Sequence, residues 1–457
     1  MSISLIGKDT TNIATTTNPV PVQNYGSNAV SFTQDDFTLD SFNRLRVSEP
    51  RTAFEYSFSN GLIAGMWEGT AYGAGSVTQN TTSWVTELNT TAASGTGYWT
   101  QSYQHIRYSP GVSVLMRFTF NFNELTSGLV MKVGMFTDQG TFPSATGDGI
   151  YLEADGSTIS IVRRTLVSGV GAEERIIQSS WNKDKLNGTG TSGVTLDWTK
   201  AQHLIIEYQW LGVGTVRVGF ETGSSGIIWA HEFISVNVLT TAYSRTGTLP
   251  IRAQIHASGG LSITGKLTLI NVTVQHEGDT LDYRGWRYFG GTSGTAVRTV
   301  GTAVGLYPIV SLRANVTNDI TKRCTIVPTK ANLLVTTAAT TSVAMQWALL
   351  ALPTPLTGAT FAGTAGASSF VGVDQAATAA TAVTGTVLAQ GVLPVTAGLY
   401  QLDFLEQKDN AIKCGQNAAG SLTITGANVI TLAYGPAVTA SGAGASVVAS
   451  INWKELT

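Results

Sequence analysis

A chain of 457 residues is long enough for two or three domains, each able to bury its own core. Only 12% of it is charged, about half the usual share for a soluble domain. The net charge of −2 and a pI of about 6.2 leave no electrostatic footprint for nucleic acid or an anionic membrane. Thr, Ser, Asn and Gly must keep such a surface wet, a composition that suits a subunit of a multi-subunit array or a fibre.

The N-terminus, MSISLIGKDTTNIATTT, lacks the basic start and apolar stretch of an export signal, and the longest apolar run, Val343 to Leu352, is interrupted by Gln346. That run is far short of the ~20 residues of a membrane helix, so the expectation is assembly in a cytoplasm with no membrane partner. Cys324 and Cys414 stand in no metal-ligand spacing and read as reduced thiols, although sequence alone does not decide whether they pair.

Residues 1–39 are rich in Thr and Asn, contain Pro, and show little hydrophobic periodicity. They read as an extended arm, either a plain disordered leader or an anchor lying along a neighbour. The next block, Asp40-Ser41-Phe42-Asn43-Arg44-Leu45-Arg46-Val47-Ser48-Glu49-Pro50, would as a strand put Arg44 and Arg46 on one face and Leu45 and Val47 on the other.

From Arg51 to Gly278 strand-like runs alternate with Gly, Ser and Asn, the clearest being Ser113 to Phe122, Leu129 to Phe136, Gly149 to Glu153, Thr158 to Arg163, Ile227 to Ile234, Ile251 to Ile255 and Leu267 to Gln275. His203 to Trp210 and Thr215 to Phe220 predict a hairpin around Leu211-Gly212-Val213-Gly214, the centre of an antiparallel sandwich. No window of twelve residues has capped helical periodicity. The fold class is therefore all-β: a jelly-roll-like sandwich over 40–290, a linker over 291–305, and a smaller β-sandwich over 306–457. In the last part Ala, Thr, Val and Gly dominate, and Thr357 to Val395 reads as long loops around a strand or two.

Tests for chemistry give little. Gly188 to Gly193 matches GxGxxG but is followed by Val-Thr-Leu-Asp-Trp, not by the helix a phosphate site needs. Asp184, Asn187 and Asp197 offer either a cation site outside the EF-hand order or a set of Asx turns. The five histidines are scattered singly. The expectation is no catalytic residue, no cofactor and no metal.

The block from Asp40 to Pro50 resembles the D-x-F-x-R-L-R-V-S-x-P opening of a family of virion structural proteins in tailed bacteriophages, with relatives in some large DNA viruses. Asn43 stands where those relatives often have glycine. Trp181-Asn182-Lys183-Asp184, Gln209 to Gly214, Arg217, Gly219-Phe220, His231-Glu232-Phe233 and Leu249-Pro250-Ile251-Arg252 are similar to that family's central block, so the resemblance spans roughly residues 40 to 290. It implies a place in a phage particle, as a capsid-decorating, vertex, collar, fibre or spike protein held to capsid, portal or tail proteins through residues 1–50. A homo-trimer is the expected state. Arg44, Arg46, Arg284, Trp286 and Arg287 are the expected interface residues. The alternative is a tail-associated receptor-binding protein in which Trp181, Trp198 and Trp210 face host glycans.

Overall fold

The computed structural model describes residues 22–25, 29–32 and most of 50–456, excepting chiefly 279–285, 315–324, 362–368, 375–380, 405–411 and 414–428. Arg44, Arg46, Arg284, Cys324 and Cys414 lie outside the described residues, as does the side chain of Trp286. Within the expected arm, β1 (Val22–Tyr25) and β2 (Ala29–Phe32) form an antiparallel hairpin, so this part is folded back on itself rather than extended.

The strands of the first sandwich are β3 (Arg51–Ser57), β4 (Trp67–Tyr72), β5 (Ser76–Asn80), β6 (Val85–Asn89), β7 (Gly97–Ile106), β8 (Ser113–Asn121), β9 (Leu129–Phe136) and β10 (Gly149–Asp155). They continue with β11 (Thr158–Thr165), β12 (Ala172–Ile177), β13 (Gln202–Tyr208), β14 (Thr215–Glu221), β15 (Ile227–Ile234), β16 (Leu249–Ala257) and β17 (Lys266–Glu277). One sheet has the order β12-β11-β10-β9-β16-β7-β4; the other runs β15-β14-β13-β8-β17-β6-β5, with β3 also paired to β17. All the pairings are antiparallel, and the only helical pieces among the described residues are two 3₁₀ turns, Phe58–Asn60 and Gln178–Ser180.

Period-two patterning builds the core between the sheets. Met116, Phe118 and Phe120 of β8 and Leu204, Ile206 and Tyr208 of β13 point inward, as do Met131, Val133 and Met135 of β9 and Ile251, Ala253 and Ile255 of β16. The predicted hairpin is β13 and β14, in register from Leu204 opposite Phe220 to Tyr208 opposite Val216. Sequence reading passed over β4 to β7 and β12, because Thr, Gln, Asn, Glu and Ser occupy many of their positions and blur the apolar alternation.

The second sandwich comprises β18 (Trp286–Gly291), β19 (Arg298–Thr299), β20 (Tyr307–Ala314), β21 (Thr325–Thr337), β22 (Met345–Thr354), β23 (Val371–Asp374), β24 (Thr384–Leu393), β25 (Gly398–Asp403), β26 (Ile412–Lys413), β27 (Val429–Pro436) and β28 (Ser446–Leu456). One sheet runs β18-β28-β21-β25, with β19 beside β28 and β26 beside β21; the other runs β23-β20-β27-β22-β24. Leu333, Val335, Ile451 and Trp453 from the first meet Leu312, Leu349, Ile430 and Leu432 from the second.

Pairing moves the expected boundary. β18, placed by sequence in the first domain, and β19, placed in the linker, both pair with the last strand, β28, so this sandwich starts at Trp286. Gly291 permits the contact, since an added Cβ there would lie 2.5 Å from the Ala449 carbonyl oxygen.

Phe220 is fully buried, stacked on Trp181 at 6.0 Å and edge-on to Trp198 at 5.5 Å. Replacing it with Ala deletes a ring from a close-packed site, and we expect Phe220→Ala to cost about 3–5 kcal/mol. Urea denaturation of the full chain, followed by tryptophan fluorescence, measures this.

Candidate functional site

The polar residues gather on the face of the seven-stranded sheet that turns away from the core. Because Met131, Val133 and Met135 point inward, Lys132 and Phe136 point outward; the same alternation carries Tyr151 and Glu153 of β10, Arg164 of β11, Glu173 and Arg175 of β12, and Arg252, Gln254 and His256 of β16 to that face.

Asp138, just beyond β9, lies at its centre. Arg164 Nη2 donates to Asp138 Oδ1 at 2.5 Å and Arg252 Nη2 to Oδ2 at 3.0 Å, with all three side chains buried. Arg252 also donates to Gln101 Oε1 at 2.8 Å and to Gln254 Oε1 at 3.0 Å, and Gln101 donates to Glu68 on β4. On the other side Arg175 bridges Glu153 and Glu173 at 2.8 and 2.9 Å, Lys132 lies 3.2 Å from Glu153, and Tyr151 donates to Glu173 at 2.8 Å. Four cations (Lys132, Arg164, Arg175, Arg252) thus interleave with four carboxylates (Glu68, Asp138, Glu153, Glu173) in a formally neutral belt. Arg252 stacks over Trp99 at 4.6 Å, and Arg164 lies over Tyr151 at 5.3 Å.

The segment after β9 covers part of this belt. Phe142 packs edge-on against His256 at 5.7 Å and Tyr72 at 5.5 Å. Asp148 is fully buried; it accepts from Arg245 Nε and Nη2 at 3.0 and 2.7 Å and from the Leu166 amide at 3.1 Å.

Titration follows the packing. Burial by itself would raise the Asp138 carboxyl, but the charges of Arg252 and Arg164 outweigh it and hold the group below its ordinary value. Glu153 is lowered in the same way, by Lys132 and Arg175 against its burial. Glu68 goes the other way: burial pushes it up to about 7, against the Gln101 hydrogen bond and the Arg252 charge. Burial, aided by the Lys132 charge, brings His256 down to about 4, so its ring is neutral at physiological pH.

A second cluster forms where separated sequence motifs meet. Asn182 donates through Nδ2 to the Glu232 carbonyl at 2.8 Å, accepts from the Glu232 amide at 2.9 Å, and bonds His231 Nδ1 through its own amide at 3.3 Å. Lys183 Nζ is 2.6 Å from Glu232, Arg217 Nε is 3.4 Å from the same carboxylate, and the amides of Lys183 and Asp184 both donate to the Ala230 carbonyl. Asp184 spends its two oxygens on the amides of Leu186 and Ser192 at 2.8 and 2.7 Å, while Asn187 and Asp197 cap Thr189 and Thr199. These are Asx turns, and they close the 182–199 loop. No group of three or more His, Cys, Asp or Glu suited to a metal ion occurs among the described residues.

The expected glycan-facing tryptophans are corrected by burial. Trp181 and Trp198 are 3% and 8% exposed and sandwich Phe220 in the core, and Trp210 is half-buried with its indole N–H on the Ser244 carbonyl at 2.8 Å. Large apolar area in a loop next to a sheet end closes the core rather than facing water. Of the expected interface residues, Arg287 is exposed on β18. The exposed tryptophan among the described residues is Trp84, 60% accessible at the tip between β5 and β6 with φ of 53°. Asn80 Oδ1 organises that tip by accepting from the amides of Thr82 and Ser83. Its only sequence signal was a bulky residue after Asn-Thr-Thr-Ser, and the charge belt had Arg252, an arginine between Ile251 and Ala253 in a strand run.

No protein-family model and no curated protein matches the chain. Among solved structures, the Emp47p carbohydrate recognition domain aligns over 50% of this chain and 96% of its own at 10% identity, with a TM-score of 0.32. A legume lectin-like domain from Entamoeba histolytica aligns over 48% and 95% at 11% identity and a TM-score of 0.30. A pseudo β-1,3-glucanase of Mycobacterium tuberculosis aligns over 49% and 98% at 12% identity and a TM-score of 0.35.

Two outcomes test the belt. Arg252→Met strips one of the two cations from a buried carboxylate, and we expect a loss of about 3–5 kcal/mol in urea denaturation, partly recovered by adding Asp138→Asn. Glu68 keeps its proton up to about 7 when folded but releases it near 4.5 when unfolded. The folded state therefore binds more protons across that window, and stability falls as pH rises through it. Glu68→Gln should flatten this fall, read from melting temperatures on either side of the window, while Asp138 and Glu153 contribute the opposite trend at lower pH.

Proposed function

We propose that this chain is a non-catalytic structural component of a tailed-bacteriophage particle, held to other virion proteins through residues 1–50. The observation that carries the reading is the convergence of the motifs that resemble the virion family. Trp181 to Asp184, Arg217 and His231 to Phe233 come from three separate parts of the sequence and lock one loop onto the edge strand β15, while Arg252 of the Leu249 to Arg252 motif is the hub of the buried belt. At both places the described residues of these motifs are engaged in holding the sandwich together. Shared motifs of this kind mark a common scaffold, as a family of particle components requires, rather than a common reaction.

Immunogold electron microscopy of purified phage particles whose genome encodes this chain, using antibody against residues 286–456, tests the proposal. Label on the head, a vertex, the collar or the tail supports it, and the position of the label says which part is built from the chain. Particles that carry none of the protein overturn it.

A second reading, carbohydrate binding, is favoured by Trp84. A large aromatic ring held outward in a left-handed backbone conformation, beside the exposed Thr81, Thr82 and Ser83, is a platform on which a sugar ring can stack. On this reading a host-surface saccharide shifts the tryptophan emission of the full chain, and Trp84→Ala abolishes the shift. A saccharide panel that leaves the emission unchanged removes the reading.

A further inference from the structure

The sequence has two Asn-Gly pairs, Asn60-Gly61 and Asn187-Gly188. Asparagine before glycine is the least hindered setting for one backbone reaction. The glycine nitrogen can attack the Asn side-chain Cγ, because no Cβ on the glycine shields that nitrogen and its backbone turns readily. Both asparagines are exposed, and both glycines have left-handed backbone, with φ of 75° and 84°. Exposure and the Asn-Gly sequence therefore do not separate the two pairs; hydrogen bonding does.

Asn187 is fixed at both reacting groups. Its Oδ1 accepts from the Thr189 amide at 3.1 Å and from the Thr189 hydroxyl at 2.6 Å, and the nitrogen that would attack, that of Gly188, donates to the Val194 carbonyl at 2.9 Å. Asn187 also forms a β-bridge with Thr195, and Asp184 closes the same loop from inside through the amides of Leu186 and Ser192. Attack requires the carboxamide to swing over the Gly188 nitrogen, which breaks several of these bonds together. Asn60 has no such restraint. Its carboxamide has no hydrogen-bond partner among the described residues, it ends the single 3₁₀ turn Phe58–Asn60, and the Gly61 amide donates to the Phe58 carbonyl at 3.3 Å, a long bond in a short turn.

We infer that Asn60 is a site of spontaneous deamidation and that the 182–199 loop protects Asn187 from the same reaction. The Gly61 nitrogen bonds to Asn60 Cγ, the Cγ–Nδ2 bond breaks, and the proton of the Gly61 amide leaves with Nδ2 as ammonia, giving a five-membered succinimide. Water then opens either ring carbonyl. One opening gives aspartate and the other isoaspartate, whose main chain runs through the β carbon; no oxidant or reductant takes part. The product carries a new negative charge, and in isoaspartate an extra main-chain carbon, at a corner that tethers β3. There the Gly61 carbonyl accepts from the Tyr56 hydroxyl at 2.6 Å, and the Tyr56 ring packs against Phe58 and Trp67 at 5.1 and 5.3 Å. Lengthening the chain at residue 60 displaces that carbonyl and loosens the tether. The inference is independent of the virion and carbohydrate readings.

Peptide mapping by mass spectrometry of the full chain, aged in mildly alkaline buffer, tests it, with fragmentation placing each conversion of amide to acid. We expect conversion at Asn60 to run roughly tenfold or more faster than at Asn187, because several hydrogen bonds must be lost before Asn187 reacts. In concentrated urea the two should convert at similar rates. Equal rates in the native chain, faster conversion at Asn187, no conversion at Asn60, or a difference that persists in urea overturns the inference. Asn60→Gln, aged alongside, keeps its amide, since the longer side chain would have to close a six-membered ring. On ageing, the wild type should therefore lose more of its melting temperature than the variant does, and equal losses once Asn60 has converted overturn the effect assigned to the corner.

Discussion

The pairing of Asp138 with Arg164 and Arg252 is the constraint on which the first sandwich depends. All three side chains are removed from water, which is costly for each, and their mutual attraction offsets that cost only when every hydrogen bond is in place. The trio therefore ties the segment after β9 to β11 and β16 at one relative position. From there Gln101 and Gln254 pass the restraint to neighbouring groups, and Glu68, Glu153, Glu173 and Arg175 extend it toward both edges of the sheet. The central strand β16 is in consequence buried on both faces, apolar toward the core and polar toward the belt.

Buried charge of this kind is weak evidence for stability and better evidence for specificity. An apolar outer layer would pack as well in several registers, whereas a chain of directed hydrogen bonds accepts one. The same logic operates at the 182–199 loop, where Asn182 and Glu232 exchange hydrogen bonds with each other's backbone or side chain and Asp184 closes the loop from inside. A scaffold whose shape is set so tightly suits a repeated part of a larger particle.

The second sandwich solves its packing with far less charge. Its core is aliphatic with Tyr434 and Trp453, and its buried polar groups form small local pairs: Glu455 accepts from the Trp453 indole at 2.9 Å and from Ser369, Ser311 pairs with Thr431 at 2.8 Å, and Asp374 accepts from the Thr360 amide.

Much of the fold was legible in the amino-acid sequence because strand alternation is a local property. Leu129 to Phe136, Ile227 to Ile234 and the hairpin around residues 203–220 are strands whose apolar positions repeat every second residue, and the absence of helical periodicity set the all-β class. Alternation says that a strand has two faces without saying what lies against either. Trp181 and Trp198 sit in an irregular stretch where no period indicates a face, and only the arrival of Phe220 between them decided that they are core. Two of the partners of Arg252, Asp138 and Gln101, lie 114 and 151 residues away, so the belt exists only once the strands are ordered in the sheet. The first strand of the second sandwich was likewise undecidable locally, because β18 is placed by pairing with β28 at the opposite end of that domain. Sequence determined which segments become strands, through interactions between near neighbours; tertiary structure decided which faces are buried and which strands neighbour one another, because those depend on contacts across the whole chain.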